Sequence, residues 1–304
     1  MNNLYNETKL ILKKYGISAN KNLGQNFLVN EEVVEGIIEG AQVTKQDLVI
    51  EIGPGLGTLT KRLLETAGKV IAIELDKRMI EILSDRFSLY DNFDLINADV
   101  LKVDLNRIIE ENLKNRLTEG LTHTNKNDDN IKNKLHHAKI VANLPYYITT
   151  PIIMKLLEEK IQVESITVMI QKEVADRIIA FPSTKNSGAI TYSVYYYAEA
   201  EKILEVMPNS FIPEPSVNSE VISLKIRKEY PVKVQNEEIL FKIIKQAFMQ
   251  RRKTFVNALS NSNIFSNKEE ILNILENLKI KKDIRGAALT LENYADICNL
   301  ISES

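Results

Sequence analysis

Residues 47–58 carry the sequence DLVIEIGPGLGT, which predicts a buried strand, a glycine-rich turn and the start of a helix. The apolar run over Asp47–Ile52 is typical of a strand covered on both faces, as in a parallel sheet. Glycine permits a tight turn and a close approach of the backbone to a ligand. The third glycine is Gly57, whereas the dinucleotide fingerprint G-x-G-x-x-G would place it at Thr58. The stretch therefore permits a nucleotide ligand without specifying one.

Strand and helix patterns alternate downstream of this stretch. Strands are predicted over Asp47–Ile52, Lys69–Glu74, Phe93–Asn97, Lys139–Ala142 and Ser165–Ile170. Helices are predicted over Leu56–Thr66, Lys77–Phe87 and Pro151–Glu159. Such alternation predicts βαβ units and an α/β fold with a parallel sheet. Two further strands, Ala189–Tyr197 and Val217–Ile226, are joined by a proline-rich link and predict an antiparallel edge.

Two changes in composition indicate the domain organisation. Residues 114–137 are polar, rich in Asn and Lys and poor in large apolar residues, which is typical of a long surface insertion. Beyond Arg227 the pattern becomes helical, with helices predicted over Glu237–Leu259, Lys268–Leu278 and Leu289–Ile301. We therefore expect one domain over residues 1–227, with a polar insertion at about 114–137, and a helical domain over residues 228–304.

Two acidic residues follow the second and third predicted strands. Glu74 ends the second strand about 20 residues after the glycine turn, where an acid can accept hydrogen bonds from ribose hydroxyls. Asp99 follows the third strand and could bind an adenine amino group. Each acid alone could equally be a helix N-cap or a solvated group. Together with the turn they predict an adenosine pocket, for either NAD(H) or S-adenosylmethionine.

The tetrapeptide Asn143-Leu144-Pro145-Tyr146 follows the fourth predicted strand. An asparagine oxygen and a backbone carbonyl can accept both hydrogens of a planar exocyclic amine, which favours a pyramidal nitrogen with an available lone pair. The tyrosine ring can stack on the base that bears the amine. The plain alternative is a strand-to-turn transition with proline as its stop signal. Beside an adenosine pocket, the tetrapeptide favours S-adenosylmethionine, because methyl transfer needs an aligned nucleophile rather than an acid–base pair.

The composition excludes several classes of protein. The formal net charge is -2, so any nucleic-acid surface must be local. The single cysteine, Cys298, permits no intrachain disulfide and fits a reducing, cytoplasmic location. We find no secretory signal at the N-terminus and no apolar run of about 18 residues that could span a membrane. The histidines, His123, His136 and His137, lie in the polar stretch, and we expect no metal site.

In combination, these segments resemble the rRNA adenine N6,N6-dimethyltransferase family, and in particular its bacterial small-subunit (16S) members. The resemblance covers nearly the whole chain except the insertion, and its specificity comes from the order of the motifs. The motifs are Asn22–Leu28, Glu51–Thr60, Glu74–Asp76, Asn97–Asp99, Asn143–Thr150, Gln171–Ala175, Phe211–Pro215 and Arg251–Thr254. The resemblance implies a Rossmann-like S-adenosylmethionine-dependent methyltransferase sheet with a small C-terminal helical domain.

The resemblance also assigns residues to the cofactor, S-adenosyl-L-methionine. Asn26 and Leu28 would line its site from the N-terminal arm, and Gly53 would pack under the methionine part. Glu74 would bind the ribose hydroxyls, and Asp99 would bind the adenine amino group.

A second group of residues is assigned to the target adenine. Asn143, which also borders the cofactor, would hold the N6 amine together with the carbonyl of Leu144, whose position Pro145 helps to fix. Tyr146 would stack on the flipped adenine and Phe211 would cover its other face, although Phe211 could instead be a staple in a turn. Extruding the base costs a few kcal/mol, and stacking recovers about 1–3 kcal/mol per base. Family members dimethylate two adjacent adenines in the 3′-terminal hairpin loop of small-subunit rRNA during ribosome assembly.

Three consecutive basic residues, Arg251, Arg252 and Lys253, could bind RNA phosphates, although such runs are often only solvated. The resemblance implies 16S rRNA in the pre-30S subunit as the partner, and we expect a monomer with no membrane or metal partner. The chain departs from the family at Ser216, where a basic residue is usual, and at Ser187-Gly188, where Tyr-Gly is common. These departures concern RNA contacts rather than methyl transfer.

Three alternatives stay open from the sequence. The related 23S rRNA enzyme that confers macrolide resistance shares much of the motif set. A ribosome-assembly chaperone would bind the pre-30S particle without catalysis. An NAD-dependent oxidoreductase would use the same kind of pocket, but the chain offers no evident acid for hydride transfer because all its histidines lie in the polar stretch.

Overall fold

The computed structural model of the chain describes residues 3–20, 24–119 and 135–302. The described residues form two compact units. The first comprises the described residues up to Ala175 together with Glu201–Ile226, and the second comprises Asp176–Ala200 with the described residues from Arg227 onward. The segment 176–200 therefore groups with the C-terminal helices, and the division after residue 227 stays a prediction.

Seven strands form one sheet, in the order β4-β3-β2-β5-β6-β9-β7, and β1 pairs separately with β8. The strands are β1 (Phe27–Leu28), β2 (Asp47–Ile52), β3 (Lys69–Glu74), β4 (Phe93–Asn97), β5 (His137–Asn143), β6 (Ser165–Gln171), β7 (Ala198–Val206), β8 (Phe211–Ile212) and β9 (Ser219–Ile226). The first five strands in that order are parallel, whereas β9 runs antiparallel to β6. The predicted parallel sheet with an antiparallel addition is confirmed.

The strand order reverses between β2 and β5. From β2 the chain moves outward to β3 and β4, and it then returns to β5 on the opposite side of β2. In open α/β sheets, ligands bind outside the carboxyl ends of the strands at this switch point. The glycine turn after β2 and the tetrapeptide after β5 consequently meet at the place where a ligand is expected.

Helices lie between and beyond the strands. They are α1 (Asn3–Lys14), α2 (Glu31–Ala41), α3 (Thr58–Thr66), α4 (Lys77–Phe87), α5 (Leu105–Glu119), α6 (Thr149–Glu158), α7 (Lys172–Ile179), α8 (Ala189–Tyr197), α9 (Glu237–Met249), α10 (Phe255–Leu259), α11 (Lys268–Asn277) and α12 (Leu291–Ser302). The sequence patterns did not predict α1, α2, α5 or α7. Two glycines interrupt the apolar pattern of α2, because Gly36 and Gly40 lie close against Leu204 and Ile203 of β7.

The core of the first unit lies between the sheet and its helices. Fully buried side chains from α2, α3 and α4 pack against those of β2 and β5. They include Ile37, Leu63, Met79, Val49 and Val141. Burying each such side chain contributes about 1.5–3 kcal/mol, so the strand ends that carry the loops are held firmly.

The prediction of a strand at Ala189–Tyr197 is wrong, because these residues form α8. The segment is rich in β-branched and aromatic residues, which favour strands. Gly188 is the N-cap of this helix, and its N–H donates to Thr191 Oγ1 at 2.8 Å. Tyr192 is buried and packs edge-on against Tyr294 at 5.3 Å between ring centroids. Packing within the second unit therefore outweighs the local strand preference.

Two further predicted boundaries differ in the structure. The helix predicted over Glu237–Leu259 is two helices, α9 and α10, and Thr254 caps the second by accepting from the Asn257 N–H. The polar stretch predicted at 114–137 is structured at both ends, because α5 continues to Glu119 and β5 begins at His137. The middle of that prediction, residues 120–134, lies outside the described residues.

Candidate active site

A cavity of about 110 Å³ opens in the first unit at the carboxyl ends of β2, β3 and β5. It brings together every residue that the sequence assigned to the cofactor, together with the whole tetrapeptide. Those residues are Asn26, Leu28, Gly53, Glu74, Asp99, Asn143, Leu144, Pro145 and Tyr146. Segments more than 100 residues apart in the sequence therefore contribute to one cavity.

The glycine turn forms the floor between β2 and α3. Gly53, Gly55 and Gly57 have φ values of 68°, 58° and 82°, in the left-handed region that favours glycine. A Cβ atom at Gly57 would lie 2.5 Å from the ring of Phe87, and one at Gly53 would lie 3.5 Å from Cδ of Pro145. The third glycine thus serves helix packing, and the first brings the turn against the tetrapeptide.

Glu74 ends β3 at the cavity and is 8% exposed. Its Oε2 accepts from the Gly55 N–H at 3.2 Å, and its Oε1 accepts from the Asp76 N–H at 2.8 Å. Burial raises the pKa of Glu74, although these backbone donors oppose the rise. Each carboxylate oxygen can accept further hydrogen bonds, so the group is oriented for a pair of hydroxyl donors.

Asp99 is the N-cap of a short 3-10 turn and also lines the cavity. Its Oδ1 accepts from the Leu101 N–H at 3.0 Å, so it caps a short 3-10 turn. Its Oδ2 lies 3.8 Å from Nζ of Lys102, and the residue lines the cavity. The cap fixes one oxygen while the carboxylate retains acceptor capacity for an amino group.

The N-terminal arm reaches the cavity through β1. Leu28 pairs with Phe211 and Phe27 with Ile212 in the antiparallel β1–β8 pair. The Asn143 amide Nδ2 donates to the Asn26 carbonyl at 3.4 Å, which links the arm to the tetrapeptide. The Asn143 side-chain oxygen accepts no hydrogen bond from the described residues, so it keeps its acceptor capacity at the cavity.

The tetrapeptide forms a turn that is held at several points. The Leu144 N–H donates to the Met169 carbonyl at 3.1 Å, which continues the β5–β6 pairing. The Pro145 carbonyl accepts from the Ile148 N–H at 3.2 Å and from Thr149 Oγ1 at 3.1 Å. The Tyr146 hydroxyl lies 2.5 Å from Oγ of Ser219. Burial raises the pKa of Tyr146, so its hydroxyl stays protonated at neutral pH.

Four assigned residues do not line this cavity. Phe211 is 2% exposed and belongs to the core beside Leu28. Arg251, Arg252 and Lys253 are exposed in the second unit, directly after α9. Arg251 donates from Nη2 to the Lys185 carbonyl at 2.8 Å.

Glu51 and Tyr147 are among the cavity residues to which the sequence patterns gave no role. Glu51 is buried in β2, where its Oε2 accepts from Thr60 Oγ1 at 2.6 Å, and burial raises its pKa to about 8. The sequence signal for Glu51 is an acidic residue inside an otherwise apolar stretch.

Tyr147 is 54% exposed at the cavity mouth. Partial burial, with the carboxylates of Asp99 and Glu74 nearby, raises the pKa of Tyr147. The sequence signal for Tyr147 is weak, since it consists only of a second tyrosine directly after Tyr146.

Metal-binding clusters and membrane-spanning helices are both absent from the part of the chain that the structure describes. Within it, no cluster of three or more His, Cys, Asp or Glu side chains could hold a metal ion. The same residues include no helix long and apolar enough to cross a membrane.

Comparison with known proteins gives concordant results. The profile of the family described as Ribosomal RNA adenine dimethylase matches residues 16–302. The Ribosomal RNA small subunit methyltransferase A of Lachnoclostridium phytofermentans is 46% identical over 299 residues, or 98% of this chain and 96% of that protein.

Two solved structures are similar to this chain. A dimethyladenosine transferase from Plasmodium falciparum is 25% identical, with a TM-score of 0.70 over 91% of this chain and 98% of that one. The 23S rRNA methyltransferase ErmE is 21% identical, with a TM-score of 0.61 over 91% of this chain and 100% of that one, which shows a shared fold alone. These matches set aside a hydride-transferring enzyme and a purely non-catalytic assembly factor. The chain belongs to the ribosomal RNA adenine dimethylase family, and it is an S-adenosyl-L-methionine-dependent methyltransferase that dimethylates adenine N6 of ribosomal RNA.

Proposed function

We propose that the protein dimethylates two adjacent adenines in the 3′-terminal hairpin loop of 16S rRNA, within the pre-30S subunit. The observation that carries the proposal is the single cavity in which the adenosine-binding acids face the turn Asn143-Leu144-Pro145-Tyr146. A methyl donor and an exocyclic amine must meet in one place, and this arrangement provides that place. We also propose that the protein acts as a cytoplasmic monomer without a metal.

The cavity residues fit S-adenosyl-L-methionine. Glu74, already oriented by two backbone N–H groups, would accept from the ribose hydroxyls, and Asp99 would accept from the adenine amino group. Gly53 would allow the methionine part to approach the turn, and Asn26 and Leu28 would border it from the arm. When bound, the cofactor supplies an electrophilic methyl group on a sulfonium ion.

The tetrapeptide would hold the target amine. The Asn143 side-chain oxygen and the Leu144 carbonyl would accept the two N6 hydrogens, while the Tyr146 ring stacks on the flipped adenine. Positioning and exclusion of water then supply most of the catalysis, and the proton leaves the methylated nitrogen without a dedicated base. For Phe211 to cover the second face of the base, its ring must turn out of the core beside Leu28. That role therefore requires a rearrangement when RNA binds.

The second unit offers a surface for RNA. Arg251, Arg252 and Lys253 are exposed on one turn, and we propose that they bind phosphates. Phosphate contacts add affinity that depends on salt and not on sequence. They would help to place the particle, whereas the cavity selects the base.

A methylation assay with two substrates tests the proposed target. Unmodified 30S particles and protein-free 23S rRNA would each be incubated with the protein and labelled S-adenosyl-L-methionine. We expect label at two adjacent adenines of the 30S particle. Label in 23S rRNA alone would refute the proposed target and identify the chain as the other enzyme class of this fold.

An Asn143→Ala variant tests the catalytic assignment. Removing the acceptor from the amine should lower kcat by about 100-fold or more, while particle binding persists. Unchanged methylation by this variant would contradict the role proposed for Asn143.

A further inference from the structure

Ser219 is the first residue of β9 and is fully buried. It pairs with Gln171 in the antiparallel β6–β9 ladder, and the neighbouring Asn218 carbonyl accepts from the Lys172 N–H at 3.0 Å. The backbone at Ser219 is therefore fixed by its pairing with β6 and the residue that follows it. Its Oγ lies 2.5 Å from the Tyr146 hydroxyl, across 73 residues of sequence.

This hydrogen bond restrains the ring that faces the target base. Tyr146 is held at its backbone end by the turn in which the Pro145 carbonyl accepts from the Ile148 N–H. At the other end of the ring, the hydroxyl is bonded to Ser219. A half-buried tyrosine held at its backbone and at its hydroxyl has the long axis of its ring, and so the position of the ring, set before any base arrives. Such restraint lowers the conformational cost of ordering a side chain on binding.

We propose that Ser219 is a positioning residue for the target adenine, because its hydrogen bond holds the Tyr146 ring at the place where the base stacks. The inference rests on the proposed function, in which Tyr146 stacks on the adenine and Asn143 holds its amine. It explains why tyrosine suits position 146 better than phenylalanine: the hydroxyl carries the restraint and the ring carries the stacking. Ser219 itself does not touch the substrate.

A double-mutant cycle separates this role from simple burial of a serine. The variants are Ser219→Ala, Tyr146→Phe and the double variant, each assayed for kcat and KM on unmodified 30S particles. If Ser219 acts through Tyr146, each single variant lowers kcat about five- to tenfold, since each deletes the same hydrogen bond. The kcat of the double variant is then no lower than that of either single variant. The KM for the particle changes little, because phosphate contacts elsewhere dominate its binding.

Ser223→Ala is the matched control. Ser223 is also buried and lies on the same strand, where it pairs with Thr167. We expect its kcat to stay within about twofold of wild type, because a substitution four residues along the strand from Ser219 does not disturb the Tyr146 ring. Circular dichroism and the calorimetric affinity for S-adenosyl-L-methionine verify that each variant is folded. If Ser219→Ala does not fold, the kcat of Tyr146→Phe still tests the proposal, since that variant deletes the same hydrogen bond from the other partner.

Two results would overturn the inference: full kcat in Tyr146→Phe, or losses that multiply in the double variant. The Asn143→Ala variant distinguishes this failure from failure of the proposed function. If Asn143→Ala abolishes methylation while the cycle is additive, only the role of Ser219 is refuted. If Asn143→Ala methylates normally, the proposed arrangement of the target site is itself refuted, and the role of Ser219 with it.

Discussion

Replacing Glu51 by glutamine should remove a defined part of the pH dependence of the protein's stability. The carboxyl group lies in the buried strand β2 and accepts a hydrogen bond from Thr60 Oγ1 at 2.6 Å. Burial raises the pKa of Glu51 from its ordinary 4.5 to about 8, and the negative charge of Glu74 acts in the same direction. Glutamine has nearly the same shape and cannot ionise, so Glu51→Gln deletes the titration with little change in packing.

The magnitude follows from the two pKa values. In the unfolded chain Glu51 ionises near pH 4.5, whereas in the folded protein it keeps its proton up to about pH 8. Between these values the folded state binds more protons, so the free energy of unfolding falls as the pH rises. At about 1.4 kcal/mol per pH unit the loss is about 5 kcal/mol over the whole interval. Between about pH 5.5 and about pH 7.5 it is about 2.7 kcal/mol, on the order of 5 °C in melting temperature for a chain of this size.

Thermal melts without cofactor provide the assay. The melting temperature of wild type minus that of Glu51→Gln should fall by about 5 °C between about pH 5.5 and about pH 7.5. Glu81→Gln is the control, because Glu81 is exposed on α4 and its melts should follow those of wild type. Parallel pH profiles for wild type and Glu51→Gln would refute the buried-proton argument.

Three other changes have defined outcomes. Gly57→Ala combines a φ of 82° with a Cβ only 2.5 Å from Phe87, so chemical denaturation should show about 2–4 kcal/mol of destabilisation. The control is Gly16→Ala, which has a φ of 61° and open space around the Cβ and should destabilise the protein by about 1 kcal/mol. Equal destabilisation by the two variants would contradict the packing argument. Glu74→Gln places an N–H group against backbone donors and weakens the ribose contacts, so calorimetry should show about tenfold to 100-fold lower affinity for S-adenosyl-L-methionine. An unchanged Kd would contradict the proposed contact between Glu74 and the ribose. The double variant Arg252→Ala/Lys253→Ala should reduce the slope of log affinity for 30S particles against log salt concentration by about 1.5. The control Lys242→Ala removes an ammonium paired with Glu238 and should change this slope less. Equal slopes in wild type and the double variant would exclude these phosphate contacts.

Local sequence signals predicted the elements around the cofactor cavity with accuracy. Asp47–Ile52, Lys69–Glu74 and Lys77–Phe87 have the bounds that the sequence indicated. Each is a strand or helix whose periodicity, flanking glycine or N-cap points to the same structure that its packing requires. The order of the motifs then placed their loops at one edge of the sheet, because parallel strands end on the same side.

The sequence failed where distant residues decide the outcome. Ala189–Tyr197 has the composition of a strand, and only its packing against partners such as Tyr294 makes it helical. The motif that contains Phe211 likewise gives no sign that pairing with Leu28 buries its ring. Neither contact leaves a local signal, since each joins residues that are more than 90 positions apart.

The β1–β8 pair also constrains the order of folding. Phe27 is synthesised long before its partner Ile212, so the arm that borders the cavity stays unpaired during most of translation. Closing so long a loop is slow, because the chain loses conformational entropy before the stabilising contact between the two strands has formed. The cofactor site is therefore completed only after the chain beyond β8 has emerged. Cofactor binding then stabilises the finished enzyme by mass action, so a nascent or truncated chain gains none of that protection.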